Sequence, residues 1–229
     1  MTKVHVLTIA THSSNYFEIM KESSKRHNIN IKILGWGQKY DGHIFKPRNI
    51  LKYLKSLPKD NNDIIMFIDG FDSIFVDNLE NIVKKFKKMN VPILVSEENK
   101  FFMFNVINSL RLFKNMSSCE RNNRKYYLNS GMYIAYRKPL MNLLSDILKL
   151  SKILNVSKSD QMLMQKLCKK HKLITDLNNK IFYNIPIISI KDIKVGMKNG
   201  KFVINNYTPS VISAPGNRDI SQVLKFLKY

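Results

Sequence analysis

The chain has 229 residues, 44% hydrophobic and 24% charged, a balance that supports the core of one large α/β domain and excludes a disordered chain. No apolar run approaches the roughly 20 residues of a membrane span. The net charge of +21 favours polyanionic partners, but the lysines are scattered beside Asn and Ile, so compositional bias on solvated faces accounts for most of it.

The N-terminal stretch "MTKVHVLTIATHSS" reads as a first strand. It lacks the long apolar stretch and cleavage site of a secretory signal, so a cytoplasmic location, or one the sequence does not reveal, is expected. Ser14 to His27 reads as a helix, and "INIKILG" as a strand. "PRNILKYLKSL" is a helix with Pro47 in its first turn. "DIIMFI" is a buried strand, and "DNLENIVKKFKKM" an amphipathic helix with Leu79, Ile82, Val83 and Phe86 on one face. "VPILVSEE" and "YLNSGMYIAYR" are strands. "PLMNLLSDILKLSKIL" and "SDQMLMQKLCKKH" are helices, the second capped by Ser157 or Ser159. From Ile174 onward the pattern is one of short strands and turns. Alternation of strand and helix implies a mainly parallel sheet flanked by helices, one domain over residues 1–229. The two cysteines, Cys119 and Cys168, have no metal-type spacing. One disulfide is open to them, but free thiols in a reducing compartment are the expectation.

Ligands in such sheets sit at the carboxyl ends of strands. There "IIMFIDGFDSIF" runs into Asp69 and Asp72. Two nearby carboxylates repel unless a cation lies between them, and a hard divalent ion meets that need. A turn that is simply rich in Asp is the alternative. The spacing alone leaves both open.

The motifs, taken together, resemble the glycosyltransferase domain of multifunctional procollagen lysyl hydroxylases. "IIMFIDGFDSIF" resembles its "IIMFVDSYDVI". The opening resembles a strand ending in "VAT" with a following "LGxGxxW", with Tyr40 in place of the tryptophan. "FKPRNILKYL" lies where the family has "QKVRxLK". "ILVSEEN" resembles "LLFSAES", "YLNSGMYIAY" resembles "FLNSGGFIGF", and "SDQMLM" resembles "DDQLFY". The resemblance implies a GT-A type, Rossmann-like fold and a metal-dependent transfer of a hexose from UDP-glucose or UDP-galactose. The implied acceptor is a hydroxylysine-linked or glycan group on collagen-like protein, and the implied metal is Mn²⁺ or Mg²⁺.

On that resemblance Asp69 and Asp72 hold the metal. Thr11, Lys46 and Phe71 contact the nucleotide, with Phe71 placed to stack on uracil. Asn129, Ser130 and Gln161 face donor or sugar hydroxyls, and Gly131 allows close backbone approach. Asp160 and Glu98 are the catalytic candidates, with Glu97 an adjacent alternative, and Arg218 is a cation suited to the pyrophosphate. The five histidines are scattered and receive no role. The family's "VVHGNGPTK" becomes "VISAPGNRD", with Ser213 or Pro215 opposite its metal-binding histidine. Water, Asn217 or a backbone carbonyl then fills that position. The family's "CWP" is missing, "DDQ" is reduced to "SDQ", and the iron-binding His-x-Asp pair of a hydroxylase is absent. Two further readings compete. One is a nucleic-acid-binding protein, which the dispersed charge disfavours. The other is a degenerate transferase that binds sugar nucleotide without turnover.

Overall fold

A computed structural model describes residues 2–58, 62–98, 119–121, 124–154, 159–186, 193–216 and 218–229. β1 (Val4–Ile9) leads into α1 (Phe17–Arg26), which buries Phe17 and Met20 and carries Glu18 in its first turn and Lys25 and Arg26 in its last, as the helix dipole favours. α1 begins at Phe17 rather than Ser14, because Tyr16 donates its backbone N–H to the Phe71 carbonyl and is held outside the helix. β2 (Ile31–Leu34) precedes α2 (Phe45–Ser56), whose Phe45, Ile50, Leu51 and Leu54 form the buried stripe. β3 (Ile64–Asp69) is buried along its length until Asp69, and β4 (Ser73–Phe75) follows at once. α3 (Leu79–Met89) is capped by Asn78, whose side chain accepts from the Asn81 N–H, and stops at Asn90 in the left-handed region.

β5 (Ile93–Glu97), the hairpin of β6 (Cys119–Arg121) and β7 (Arg124–Tyr126), and β8 (Leu128–Tyr136) come next. α4 (Arg137–Ile153) and α5 (Asp160–Leu167) are followed by β9 (Ile174–Thr175) and β10 (Phe182–Asn184). The chain closes with the β11 (Val195–Lys198) and β12 (Lys201–Ile204) hairpin, β13 (Val211–Ser213) and α6 (Ser221–Leu227).

Among the described residues the main sheet has the order β2-β1-β3-β8-β5-β9. All its strands run one way except β8, which is antiparallel to both β3 and β5. The sheet is thus mainly parallel, as a GT-A Rossmann-like fold requires, with one reversed strand that residue pattern did not reveal. β8 is buried on both faces, so it reads the same in either direction. One face packs Leu54, Phe67, Tyr133, Leu143 and Leu163 under α2, α4 and α5. The other packs Phe17, Met66, Ile68, Phe86 and Ile134 under α1 and α3. A small sheet, β10-β13-β4, lies beside the main one, with Ser213 opposite Ser73 and Asn184 opposite Ser213.

Cys119 and Cys168 form a disulfide with Cα atoms 5.9 Å apart, which corrects the expectation of free thiols. β6 and the end of α5 are 49 residues apart in sequence and meet only in the folded chain, so spacing carried no sign of the pairing. No described helix is long and apolar enough to cross a membrane.

Candidate active site

β1, β3 and β5 end on one edge of the main sheet. Asp69 closes β3, Gly70 and Phe71 make the turn, and Asp72 precedes β4. The turn is packed so closely that a Cβ at Gly70 would lie 2.7 Å from Thr8 Oγ1 and 3.2 Å from the Ile9 carbonyl oxygen. Across the sheet, a Cβ at Gly131 would lie 2.8 Å from Asp69 Oδ2 and 2.9 Å from Asn129 Oδ1. Glycine at 131 therefore leaves room for the Asp69 carboxylate.

Each aspartate has one oxygen engaged by the protein. Asp69 Oδ1 accepts from Lys46 Nζ at 2.6 Å. Asp72 Oδ1 accepts from Ser73 Oγ at 3.2 Å and Ser213 Oγ at 3.3 Å. The Oδ2 atom of each accepts no hydrogen bond from the described residues. Burial, and then the charge of Asp69, push Asp72 up to about 7. Burial also raises Asp69, although Lys46 opposes it. For Lys46 burial acts downward, but the charges of Asp69, Asp160 and Asp72 outweigh it and hold the ammonium above its ordinary range. One ammonium thus faces three carboxylates, with Arg218 near Asp72 and His43 near Asp69. Two half-buried carboxylates with open oxygens fit a hard divalent cation that keeps waters and takes anionic oxygens from a ligand. Among the described residues no three His, Cys, Asp or Glu side chains gather as a ligand set.

The pair forms the floor of a cavity of about 350 Å³. Thr11, Lys46 and Phe71 line it, as do Tyr40, His12 and His43. Phe71 lies 5.6 Å from the His12 ring and 6.1 Å from Phe17, while Tyr40 packs 5.5 Å from Phe45. Thr11 Oγ1 is 2.9 Å from His12 Nδ1. Aromatic walls thus meet a charged floor.

A second cluster adjoins the floor. Glu98, one residue beyond β5, accepts at Oε2 from Asn129 Nδ2 at 2.9 Å and Gln161 Nε2 at 3.2 Å. The irregularity in β5 between Val95 and Ser96, which re-registers its pairing with β8, lies directly before this turn. Asn129 also accepts at Oδ1 from the Gly131 N–H at 2.8 Å, so both ends of its amide orient protein groups. Gln161 Oε1 faces the Ser130 N–H at 3.4 Å. Asp160 opens α5 beneath the Ser159 cap and is buried, with His43 Nδ1 3.9 Å from its Oδ1. Arg218 donates to the Ile185 carbonyl. Burial lowers it, and the charges of Glu98 and Asp72 oppose that.

The structure therefore brings Thr11, Lys46, Asp69, Phe71 and Asp72 to one cavity, and Glu98, Asn129, Ser130, Asp160 and Gln161 to its border. Of the two residues set opposite the family's histidine, Ser213 is the one on Asp72. Asn217 lies outside the described residues. His12 and His43 were given no role from sequence and line the cavity. No periodicity or motif marks them, and only the fold brings them there.

A second cavity, of about 320 Å³, lies between the start of α3 and the β11–β12 hairpin. Lys85 and Asp77 in its lining are paired with each other. Lys85 Nζ donates to Asp77 Oδ2 at 3.1 Å, Ser210 Oγ at 2.8 Å and the Thr208 carbonyl at 3.1 Å.

A sequence profile described as the PLOD GT domain matches residues 1–228. The chain is 25% identical over 232 residues to the Drosophila melanogaster procollagen-lysine,2-oxoglutarate 5-dioxygenase, covering 93% of this chain and 30% of that protein. It is 28% identical over 142 residues to the human procollagen-lysine,2-oxoglutarate 5-dioxygenase 2, covering 58% of this chain and 18% of the relative. It is 29% identical over 89 residues to the Caenorhabditis elegans multifunctional procollagen lysine hydroxylase and glycosyltransferase, covering 35% of this chain and 12% of the relative. The chain thus spans less than a third of the length of these curated relatives.

Proposed function

Because this chain belongs to the family of PLOD GT domains, we propose that it transfers a hexose from UDP-glucose or UDP-galactose to a hydroxylysine-linked or glycan acceptor on collagen-like protein. The observation that carries the reading is the Asp69 and Asp72 pair, each with an open oxygen, at the floor of an aromatic-walled cavity.

Asp69 and Asp72 are the residues to hold Mn²⁺ or Mg²⁺, which would supply Lewis-acid stabilisation of the charge gathering on the leaving diphosphate. Lys46, kept protonated by its carboxylate neighbours, neutralises Asp69 and faces the same diphosphate. Phe71 and Tyr40 offer flat surfaces to the base. In the transfer the bond from the anomeric carbon to the phosphate oxygen breaks with oxocarbenium character and UDP leaves, while the acceptor oxygen forms the new bond to that carbon and gives its proton to a carboxylate, for which Glu98 is the candidate. Glu98 is suited to the acceptor side, since Asn129 and Gln161 fix its Oε2, and Oε1 accepts no hydrogen bond from the described residues. Asp160 stands on the donor-sugar side, near Lys46 and His43.

A second reading, sugar-nucleotide binding without turnover, is favoured by Ser213, a hydroxyl on Asp72 where the family motif has a histidine. One assay separates the two. The protein is incubated with a panel of UDP-sugars and Mn²⁺, and UDP release is measured with and without collagen peptides. Acceptor-dependent release supports transfer. Binding of UDP-sugar with no release under any pairing supports the second reading.

A further inference from the structure

Asn184 is the last residue of β10, away from every motif that marks the site in sequence. It is 5% exposed. Its Nδ2 donates to the Glu97 carbonyl at 2.7 Å. The next peptide N–H, that of Glu98, donates to the Tyr127 carbonyl at 2.9 Å. The peptide link between Glu97 and Glu98 is thus held from both sides, and Glu98 projects from a fixed base. On its other flank Asn184 is paired in register with Ser213, whose hydroxyl reaches Asp72 and whose carbonyl accepts from the Ile185 N–H at 2.8 Å. Hydrogen bonds and the backbone of β10 therefore link Asp72, through Ser213 and the Asn184–Ile185 segment, to the Glu97 carbonyl next to Glu98, joining the small sheet to the end of the main one.

The remaining amide atom carries a further message. Asn184 Oδ1 is buried and has no hydrogen-bond partner among the described residues. A buried unpaired acceptor costs stability, and a leucine of similar size would fill the space without that cost. The polar residue is explained by what its N–H holds.

We propose that Asn184 is a positioning residue for Glu98, setting the acceptor-side carboxylate against the Asp69 and Asp72 pair so that the two halves of the site form one rigid unit. The inference rests on the transferase reading for its consequence and on the Glu97 contact for its geometry.

The test uses Asn184→Leu, Asn184→Asp and Asn184→Gln in the full chain, with two readouts. The first is hydrogen exchange at the Glu98 amide, compared with the Ile68 amide in β3 as internal reference. Exchange at Glu98 should quicken by about tenfold or more in the Leu and Asp variants, which lack the donor, while Ile68 is unchanged. The second is kinetic. In the same variants kcat should fall by about tenfold to a hundredfold with KM for UDP-sugar within about twofold, and Asn184→Gln, which keeps an amide donor, should recover part of the loss. Unchanged exchange at Glu98 in Asn184→Leu overturns the proposal. So does a variant in which exchange at Ile68 and donor KM move in parallel with kcat, which would mark general loosening of the fold. If the wild-type protein transfers no sugar, the transferase reading fails, and the exchange experiment still decides whether Asn184 holds Glu98.

Discussion

Lys46 Nζ lies 2.6 Å from Asp69 Oδ1, joining α2 to the end of β3 at the floor of the cavity. The pair is mostly shielded from solvent, and Asp160 and Asp72 add to the field that keeps the ammonium charged. Removing the cation takes away the ammonium that offsets the charges of Asp69, Asp72 and Asp160.

Lys46→Met is therefore expected to weaken UDP binding in the presence of Mn²⁺ by more than tenfold and to cost about 3 kcal/mol of stability. Lys88→Met, at an exposed lysine late in α3, is the control and should change neither. Calorimetry and thermal melts measure both effects. Equal, small effects at the two positions would make Lys46 one more solvated charge.

Gly131→Ala introduces a methyl 2.8 Å from Asp69 Oδ2 and 2.9 Å from Asn129 Oδ1. Both contacts are side-chain atoms of the site, so the expected response is displacement of Asp69 and rotation of Asn129. Stability should fall by about 1–3 kcal/mol, and metal-dependent UDP binding should fall further than stability alone explains. A variant that melts lower but binds UDP with wild-type affinity at low temperature would separate Gly131 from the site.

Much of this site was legible in the sequence because it sits where pattern changes. The apolar run of β3 ends in Asp69, and the paired acid follows after one glycine and one aromatic residue. Glu98 and Asp160 likewise fall at the end of a strand and the start of a capped helix. What was not legible depends on contacts between distant segments. β8 is buried on both faces, so its reversed direction left no trace in residue pattern. Cys119 and Cys168 are brought together only by the docking of β6 on the end of α5. Asn184 sits in a three-residue strand too short to show a period, and its partner is a carbonyl, which every residue carries.

The disulfide can be checked directly. Peptide mapping under non-reducing conditions should recover Cys119 linked to Cys168, and Cys168→Ser should lower stability by about 3–4 kcal/mol through the freed loop. Free thiols titrating in the folded protein, with no effect of reductant on the melt, would restore the expectation of free thiols in a reducing compartment.

Asp77 offers a test of pH dependence away from the site. Burial acts to raise its carboxyl, but hydrogen bonds from Asn81 and Lys85, the charge of Lys85 and the Ser210 hydroxyl outweigh it and hold it below its ordinary value. A carboxyl depressed in the folded state stabilises the fold above its unfolded value and loses that contribution as pH falls through the folded one. Asp77→Asn should therefore cost about 1 kcal/mol at neutral pH and progressively less as pH drops below about 4. A cost independent of pH would assign the effect to lost packing alone.

The most direct measurement is calorimetric titration of UDP into the wild-type protein and into Asp72→Ala, each with and without Mn²⁺. Asp72 and Asp69 supply two carboxylates, and the diphosphate is expected to complete the shell, so metal and nucleotide should each strengthen the other by the same factor. The wild-type protein should bind UDP much more tightly with Mn²⁺ than without, and Asp72→Ala should lose that dependence while its melting profile stays cooperative. UDP binding to Asp72→Ala with wild-type affinity and undiminished metal dependence would contradict the assignment of the aspartate pair.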